Sequence, residues 1–309
     1  MTTPEWHPDI DISETVIKNI LANQFPQIII NSIKLIGEGW DNRVYLVNEQ
    51  IIFRFPRRKV AVELITRENK LLPNLPPFTD LVIPIPTFIG EPSEIYPYVF
   101  QGYNLIPGIS GYLANLSDAD RKLSLPILAK FLQELHSIDS QQAILLGAEP
   151  QIFDRTEMDR VITALQERVK AISDKNICVV NQTLFKEEIH AAKMLKLDFS
   201  KKCLVHGDLD CRHLLFEHKK LVGIIDWGDM GINHKAVDLS IIWNFYSTDQ
   251  HAQFIEIYGE VDDASWQYAR FLGLYSGFTQ ILYGHDINDR ALFAEAVHAV
   301  KRINSKLLF

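Results

Sequence analysis

The segment 203–229 constrains this chain more than any other. An apolar run, "CLVH" (203–206), leads into His206-Gly207-Asp208, and a second, "LLF" (214–216), follows within the same stretch. Residues 214–226 then read as a hairpin turning at "EHKK" (217–220), and its second strand, "GIID" (223–226), ends on Asp226 just before Trp227-Gly228. Short runs rich in branched and aromatic residues, bounded by polar turns, are strand signals. One hairpin between the two motifs puts Asp208 and Asp226 at the same end of a small sheet. A carboxylate on a loop held by a rigid sheet suits a general base. A second at a strand end suits a hard divalent cation.

The rest of the chain divides in composition at Pro107-Gly108, a strong turn signal. Before it lie a short helix (13–24, Ser13 as N-cap) and strands at 28–36, 42–47 and 51–55. A helix at 58–72 follows, then two extended stretches, 81–90 and 96–106. After it helical periodicity dominates, at 117–138, 154–172, 181–197, 236–247, 249–259, 262–284 and 288–306. The expected architecture is α+β, with a small β-rich N-terminal lobe (1–107) and a larger helical C-terminal lobe (108–309). A cleft between two lobes is a usual place for a ligand.

Phosphoryl transfer needs a cover over the phosphates, a cation on them, a base for the acceptor hydroxyl, and metal ligands. The chain offers a candidate for each, in the order kinases have them. "IGEGWDNRVYLV" (36–47) carries Gly37 and Gly39, whose missing Cβ atoms let backbone N–H groups approach phosphates. Arg54 stands in the third strand, where alternation sets it opposite Phe53 and Phe55. Glu68 falls on the apolar face of the following helix with Leu64 and Leu71 or Leu72, and a half-buried carboxylate there calls for a cation, Arg54. Asp208 is the candidate base and Asp226 the Mg²⁺ ligand. His213 occupies the second metal position, where kinases carry Asn. Imidazole is a poorer Mg²⁺ partner than oxygen.

With these motifs in place the chain resembles the aminoglycoside and macrolide phosphotransferase family, which has the protein-kinase-like fold. The resemblance runs through "GEGWDNRVYLV" (37–47), "FRFPRR" (53–58), "GYNLIPG" (102–108), "FLQELHSI" (131–138), "HGDLDCRHLLF" (206–216), "GIIDWGDMG" (223–231) and "ILYG" (281–284). It implies a nucleotide-binding N-terminal lobe and a C-terminal lobe with a catalytic loop and a helical substrate-binding subdomain. It implies Asp208 as base, Asp226 on Mg²⁺, and Arg54 on the nucleotide phosphates and Glu68. Tyr103, Asn104, Leu105 and Ile106 become the hinge that bonds the purine, His206 a brace of the loop, and Asp238 its buttress. His213 and Arg54 both resemble the macrolide branch, and His213 also resembles some aminoglycoside 2''-phosphotransferases. ATP and GTP are both left open.

The implied reaction is Mg²⁺-dependent transfer of a nucleotide γ-phosphate to a small-molecule hydroxyl, with an aminoglycoside first. A macrolide 2'-hydroxyl, or an amino-alcohol or sugar of metabolism, is the alternative. Asp210, Asp229 and Asp249 are the acids that suit a cationic acceptor. With Asp208 and Asp226 both intact, a non-catalytic binding role is disfavoured. The net charge of −8 disfavours nucleic acid. No run of 18 apolar residues suggests a membrane span, and the acidic opening "MTTPEWHPDIDISE" does not read as a signal peptide. Cys178, Cys203 and Cys211 form no C-x-x-C pair and read as thiols of a reducing compartment. A cytoplasmic enzyme is expected, as a monomer with a dimer left open.

Overall fold

The structure, a computed structural model, describes residues 9–10, 12–39 and 41–309. Most of the opening stretch read for a signal peptide, and Trp40 of the glycine segment, lie outside the described residues. The chain folds as two compact units, one of residues up to 77 with 83–106 and 226–228, the other of 78–82, 107–225 and 229–309.

The first unit is built on a five-stranded antiparallel sheet. Its strands are β1 (Ile33–Glu38), β2 (Asn42–Val47), β3 (Ile51–Pro56), β4 (Phe88–Gly90) and β5 (Phe100–Asn104), in the order β1-β2-β3-β5-β4. Helix α1 (Glu14–Gln24) is capped by the Ser13 hydroxyl, which accepts from Val16 N–H, and buries Ile17, Ile20 and Leu21. The i, i+3, i+4 spacing makes these one face. That face packs on Phe25, Tyr45, Val47, Phe53, Phe55 and Phe100. Burying each large side chain contributes roughly 1.5–3 kcal/mol. Helix α2 (Lys59–Leu71) buries Leu64, Ile65, Glu68 and Leu71.

Three strands come out shorter than the sequence suggests, the 96–106 stretch keeping only Phe100–Asn104. The 28–36 strand begins only at Ile33, because the Asn48 side chain accepts from Asn31 and Ser32 N–H and donates to the Ile29 carbonyl. Those backbone groups are thereby drawn out of a ladder. The 81–90 strand keeps only Phe88–Gly90. Pro84 and Pro86 have no N–H to donate, and Val82 pairs instead with the 222–224 backbone.

The second unit holds two small sheets among helices. Strands β6 (Ile109–Ser110), β8 (Leu214–Glu217) and β9 (Lys220–Ile224) form one, in the order β6-β8-β9, and β7 (Lys202–Val205) pairs with β10 (Gly231–His234) in the other. The β8–β9 hairpin turns on His218 and Lys219, both at positive φ (48° and 64°). Paired positive φ values match the twist of the flanking strands. The helices are α3 (Asp118–His136), α4 (Ser140–Leu146), α5 (Met158–Asp174), α6 (Gln182–Lys193), α7 (Ala236–Phe245), α8 (His251–Tyr258), α9 (Asp263–Asp286) and α10 (Arg290–Ile303). Almost all of α7 is buried, and it packs against α9 and α10. Among the described residues no helix is long and apolar enough to cross a membrane.

Candidate active site

In the first unit the register of β3 against β5 sets Arg54 opposite Gln101, and Glu68 reaches the pair from α2. Arg54 Nη1 donates to both Glu68 carboxylate oxygens, at 2.7 and 2.6 Å, and Nη2 donates to Asp226 Oδ1 at 2.7 Å. Gln101 Nε2 also donates to Glu68. Glu68 and Gln101 are wholly buried and Arg54 nearly so. Asp226 stands at positive φ and remains 48% exposed. Burial works against the Arg54 charge, but Glu68 and Asp226 outweigh it and the guanidinium is held protonated more firmly than usual. Burial pushes the Glu68 carboxyl up while Arg54 pulls it back. Behind Asp226, Trp227 is fully buried, and a Cβ on Gly228 would lie 3.1 Å from Leu64 and 3.4 Å from Glu68 Oε1. The turn after Asp226 is therefore pressed onto α2.

Gly37 follows a register shift in β1, and a Cβ there would meet nothing closer than 3.7 Å. At Gly39, whose N–H donates to the Asn42 carbonyl, the nearest atom would be at 3.9 Å. Packing within the chain does not demand glycine at either position. Tyr103 is buried in β5 opposite Ile52, Asn104 and Leu105 are exposed, and Ile106 is buried. The Leu105 N–H donates to the Gln50 carbonyl at 2.7 Å.

In the second unit the loop between β7 and β8 is braced from beneath. The wholly buried Asp238, on α7, accepts from His206 N–H at 2.7 Å and Gly207 N–H at 2.8 Å, and meets His136 Nε2 at 3.1 Å. His206 Nε2 lies 3.1 Å from the Ile225 carbonyl, and its Nδ1 is 3.3 Å from Asp208 N–H. An acceptor at Nδ1 and a donor at Nε2 define one neutral tautomer. Burial lowers the His206 pKa, which favours that neutral ring. Gln151, itself bonded to Asn233, donates to the Gly207 carbonyl at 3.1 Å.

Asp208 emerges from this brace 28% exposed, whereas Asp210 is 3% exposed. Arg155 Nη2 donates to Asp208 Oδ1 at 2.6 Å, and Arg212 Nη2 lies 3.5 Å from Oδ2. His213 Nδ1 donates to the Asp208 backbone carbonyl at 2.7 Å. Burial alone would raise the Asp208 pKa, but Arg155, His213 and Arg212 outweigh it and hold the carboxyl far below the usual range. Asp210 is clasped by Arg212 through Nε and Nη2. Asp229 Oδ2 is 3.9 Å from Arg155. Asp249, on the 3₁₀ turn Thr248–Gln250, has Ser247, Lys122 and His251 as neighbours, none of them a member of this cluster.

Asp208, Asp210 and His213 bring potential ligand atoms within 4.8 Å of one another. Guanidinium groups already match both carboxylates, however, and His213 uses Nδ1 as a donor. Asp226 carries a guanidinium as well, Arg54 at 2.7 Å, and keeps a half-exposed carboxylate, the kind of oxygen donor that Mg²⁺ prefers.

Sequence reasoning missed Arg155, Arg212, Gln101 and Gln151. Arg155 carried a readable signal. Asp154 accepts from both the backbone N–H and the hydroxyl of Thr156, so Asp-Arg-Thr is a side-chain-closed turn, not the start of a helix at 154. Helix α5 begins at Met158.

Comparison with known proteins places the fold and the family. Solved structures that share the fold include the GDP complex of wild-type aminoglycoside 2'-phosphotransferase-IIIa, at TM-score 0.71 and 24% identity over 95% of this chain and 99% of that one. A macrolide 2'-phosphotransferase from Brachybacterium faecium aligns at TM-score 0.62 and 19% identity, over 94% and 98%. The fold is thus the two-lobed, protein-kinase-like α+β fold of these enzymes. Among curated proteins, an aminoglycoside 3'-phosphotransferase of Salmonella typhimurium is 31% identical over 176 residues, 52% of this chain and 58% of that protein. The chain therefore spans little more than half the length of the curated relatives it matches. The model of the phosphotransferase enzyme family, APH, matches residues 32–272, well over half the chain, and to that family the chain belongs.

Proposed function

We propose that the chain transfers the γ-phosphate of ATP or GTP, with Mg²⁺, to a hydroxyl of a small molecule, an aminoglycoside in the first instance. The observation that carries this reading is the Asp208 carboxylate, ionised and partly exposed on a loop whose two preceding backbone N–H groups are tied to Asp238. The curated relatives, named as aminoglycoside 3'-phosphotransferases, support the acceptor class. The GDP complex of a protein with the same fold supports a purine nucleotide.

In this reading the acceptor hydroxyl donates to Asp208. Its oxygen forms a bond to the γ-phosphorus, the bond from phosphorus to the β–γ bridging oxygen breaks, the hydroxyl proton passes to Asp208, and the nucleoside diphosphate leaves. The transition state is loose, so orientation matters more than base strength. A strongly acidic carboxyl is then no handicap. Arg54, fixed by Glu68, carries positive charge for the phosphates, and the glycines at 37 and 39 leave room for backbone N–H groups beside them. Asp226 would hold Mg²⁺, which supplies charge neutralisation on the β- and γ-oxygens. His213 serves the loop through its bond to the Asp208 carbonyl. Leu105 N–H being taken by Gln50, a purine would meet the other backbone groups of 103–106.

A macrolide acceptor is the second reading, favoured by the shared fold of the Brachybacterium faecium enzyme. The test is nucleoside diphosphate release from ATP and GTP across aminoglycosides, macrolides and simple amino-alcohols, with Asp208→Ala as control. Turnover with one class, lost in Asp208→Ala while nucleotide still binds, is expected. Undiminished turnover in that variant, or none in the unaltered chain with any acceptor, overturns the assignment.

A further inference from the structure

A cleft within the second unit lies between the 111–118 segment with the start of α3 on one side and a face of α10 on the other, and it encloses about 740 Å³. That is the size of a small-molecule pocket. Its lining holds neither Asp208 nor Asp226. On α10, Ala291, Ala294, Glu295, His298 and Arg302 share one face by their spacing, and the two alanines leave room. The charges are unevenly matched. Glu295 accepts from Arg121 Nη2 at 2.9 Å and from Arg302 Nη1 at 2.9 Å, so one carboxylate serves two guanidinium groups. Arg121 and Glu295 are both buried. Lys301 is exposed and forms no ion pair among the described residues, and Asp118, exposed in the first turn of α3, is the other lining acid. Arg302 makes its hydrogen bonds through Nη1 alone, to Glu295 and to the Asn244 carbonyl, which leaves Nε and Nη2 open among the described residues. Arg121 lies over the Phe245 ring at 4.1 Å, and its Nε is buried without a hydrogen-bond partner.

We propose that this cleft is a second ligand site, for a small organic anion that carries a carboxylate or phosphate monoester on a ring-sized body. The inference stands apart from the phosphotransfer reading, because the cleft shares no lining residue with the Asp208 cluster or with Arg54 and Glu68. Arg121, Lys301 and Arg302 face only Asp118 and Glu295, so the lining carries a net positive charge before His298 is considered. A partly buried excess charge is relieved by a counter-ion of opposite sign. The Nε and Nη2 hydrogens of a guanidinium lie along one edge and match two oxygens of a carboxylate or phosphate. On Arg302 that edge is open. Lys301, next to it on α10, adds a point charge on a flexible stem. Glu295 repels such a ligand little, since both its oxygens are already held by guanidinium groups. Tyr112, Leu116, Ala291 and Ala294 supply the apolar surface for the body of the molecule.

The test titrates the whole chain with phenyl phosphate, phenol and inorganic phosphate by calorimetry. Phenyl phosphate is expected to bind at least about tenfold more tightly than either of the others, since only it has both the anion and the ring. Arg302→Gln should weaken it at least about tenfold, the loss of a charge-assisted pair of hydrogen bonds. Ala294→Phe, which fills the cleft from an exposed position and leaves every charge in place, should weaken it by a similar factor. Lys301→Gln should weaken it a few-fold. Ala294 and Lys301 are exposed, so these two variants decide the matter even where Arg302→Gln fails to fold. Phenyl phosphate affinity unchanged in Ala294→Phe and Lys301→Gln would put the ligand elsewhere on the chain and overturn the inference. So would phenol binding as tightly as its phosphate, inorganic phosphate binding as tightly as the phenyl ester, or no binding of phenyl phosphate at millimolar concentration.

Discussion

Nη1 of Arg54 donates to both carboxylate oxygens of Glu68, at 2.7 and 2.6 Å, and Glu68 is wholly out of water. The pair ties β3 to α2 and leaves Nη2 for Asp226. Removing one partner strands a buried charge, which costs about 3–5 kcal/mol, whereas replacing both with apolar groups of similar size is often near neutral. Glu68→Ala should therefore lower stability in urea by about that amount. The double variant Arg54→Met with Glu68→Leu should lose markedly less than the two singles added together. Additive losses would show that the pair is not coupled in the way the geometry indicates.

Asp208 should show its neighbours in the pH profile. Its carboxyl is held far below 3.8 by Arg155, His213 and Arg212 acting against burial. It is thus ionised throughout the neutral range. kcat/KM should stay level from about pH 7 down to about pH 5, with no limb in the ordinary carboxylate range. In Arg155→Gln the acid limb should move up. A limb near pH 4–5 in the unaltered chain that does not move in the variant would assign the titration elsewhere.

Asp238 supports the loop electrostatically as well as through its hydrogen bonds. Burial raises its carboxyl, but the hydrogen bond to His136, the imidazole rings of His136 and His206 beside it and the Gly207 N–H outweigh it, so its pKa is depressed from 3.8. A depressed folded-state value gives stability that is full above the unfolded value and is lost as pH falls through the folded one. The contribution should be intact above about pH 4 and disappear below it. Asp238→Ala leaves the N–H groups of His206 and Gly207 without their acceptor, at about 1–3 kcal/mol each. Urea unfolding of that variant at pH 7 should show the loss, and its stability should depend less on pH in the acid range than that of the unaltered chain.

Asp226→Ala tests the proposed metal ligand apart from the proposed base, Asp208. It removes the half-exposed oxygens suited to Mg²⁺ and one of the two anions paired with Arg54. The Mg²⁺ concentration for half-maximal nucleotide binding should rise at least about tenfold, as expected when a direct carboxylate ligand is lost. An unchanged Mg²⁺ dependence would place the metal elsewhere.

Much of this site is legible in the sequence because its parts lie on regular elements. Arg54 and Glu68 follow from strand alternation and helix spacing, and Asp208 and Asp226 from the strands that carry them. The guanidinium groups around Asp208 were not legible to the same degree. Arg155 comes from an irregular turn more than fifty residues upstream of Asp208, and only the fold of the second unit brings it there. Periodicity has no purchase on such a contact. The same limit hid β10, whose four residues are all buried and show no alternation. It also hid α4, whose Asp139–Gln142 capping box and left-handed Gly147 are short-range signals without a long amphipathic run.

Gly207 is the position at which backbone and chemistry meet most closely. It has φ +89°, where a side chain is strained, and a Cβ there would fall 2.2 Å from the Asp229 carbonyl oxygen and 2.3 Å from Gln151 Nε2. Neither neighbour can retreat cheaply. Asp229 belongs to the segment leading into β10, and Gln151 is held by Asn233 as well as by Gly207. In Gly207→Ala the loop must therefore move, and Asp208, next in the chain, moves with it. Positional errors of about 1 Å at a reacting group cost on the order of a hundredfold in rate. The strain itself adds about 1–3 kcal/mol of destabilisation. Gly207→Ala should lose turnover by that factor and unfold at lower urea, while Arg54, Glu68 and Gln101 stay in place and nucleotide affinity changes by no more than a few-fold. If affinity fell as far as turnover, the loop and the nucleotide site would not be separable in this way. Turnover close to that of the unaltered chain would show that the loop tolerates displacement and that Asp208 does not depend on it for its position.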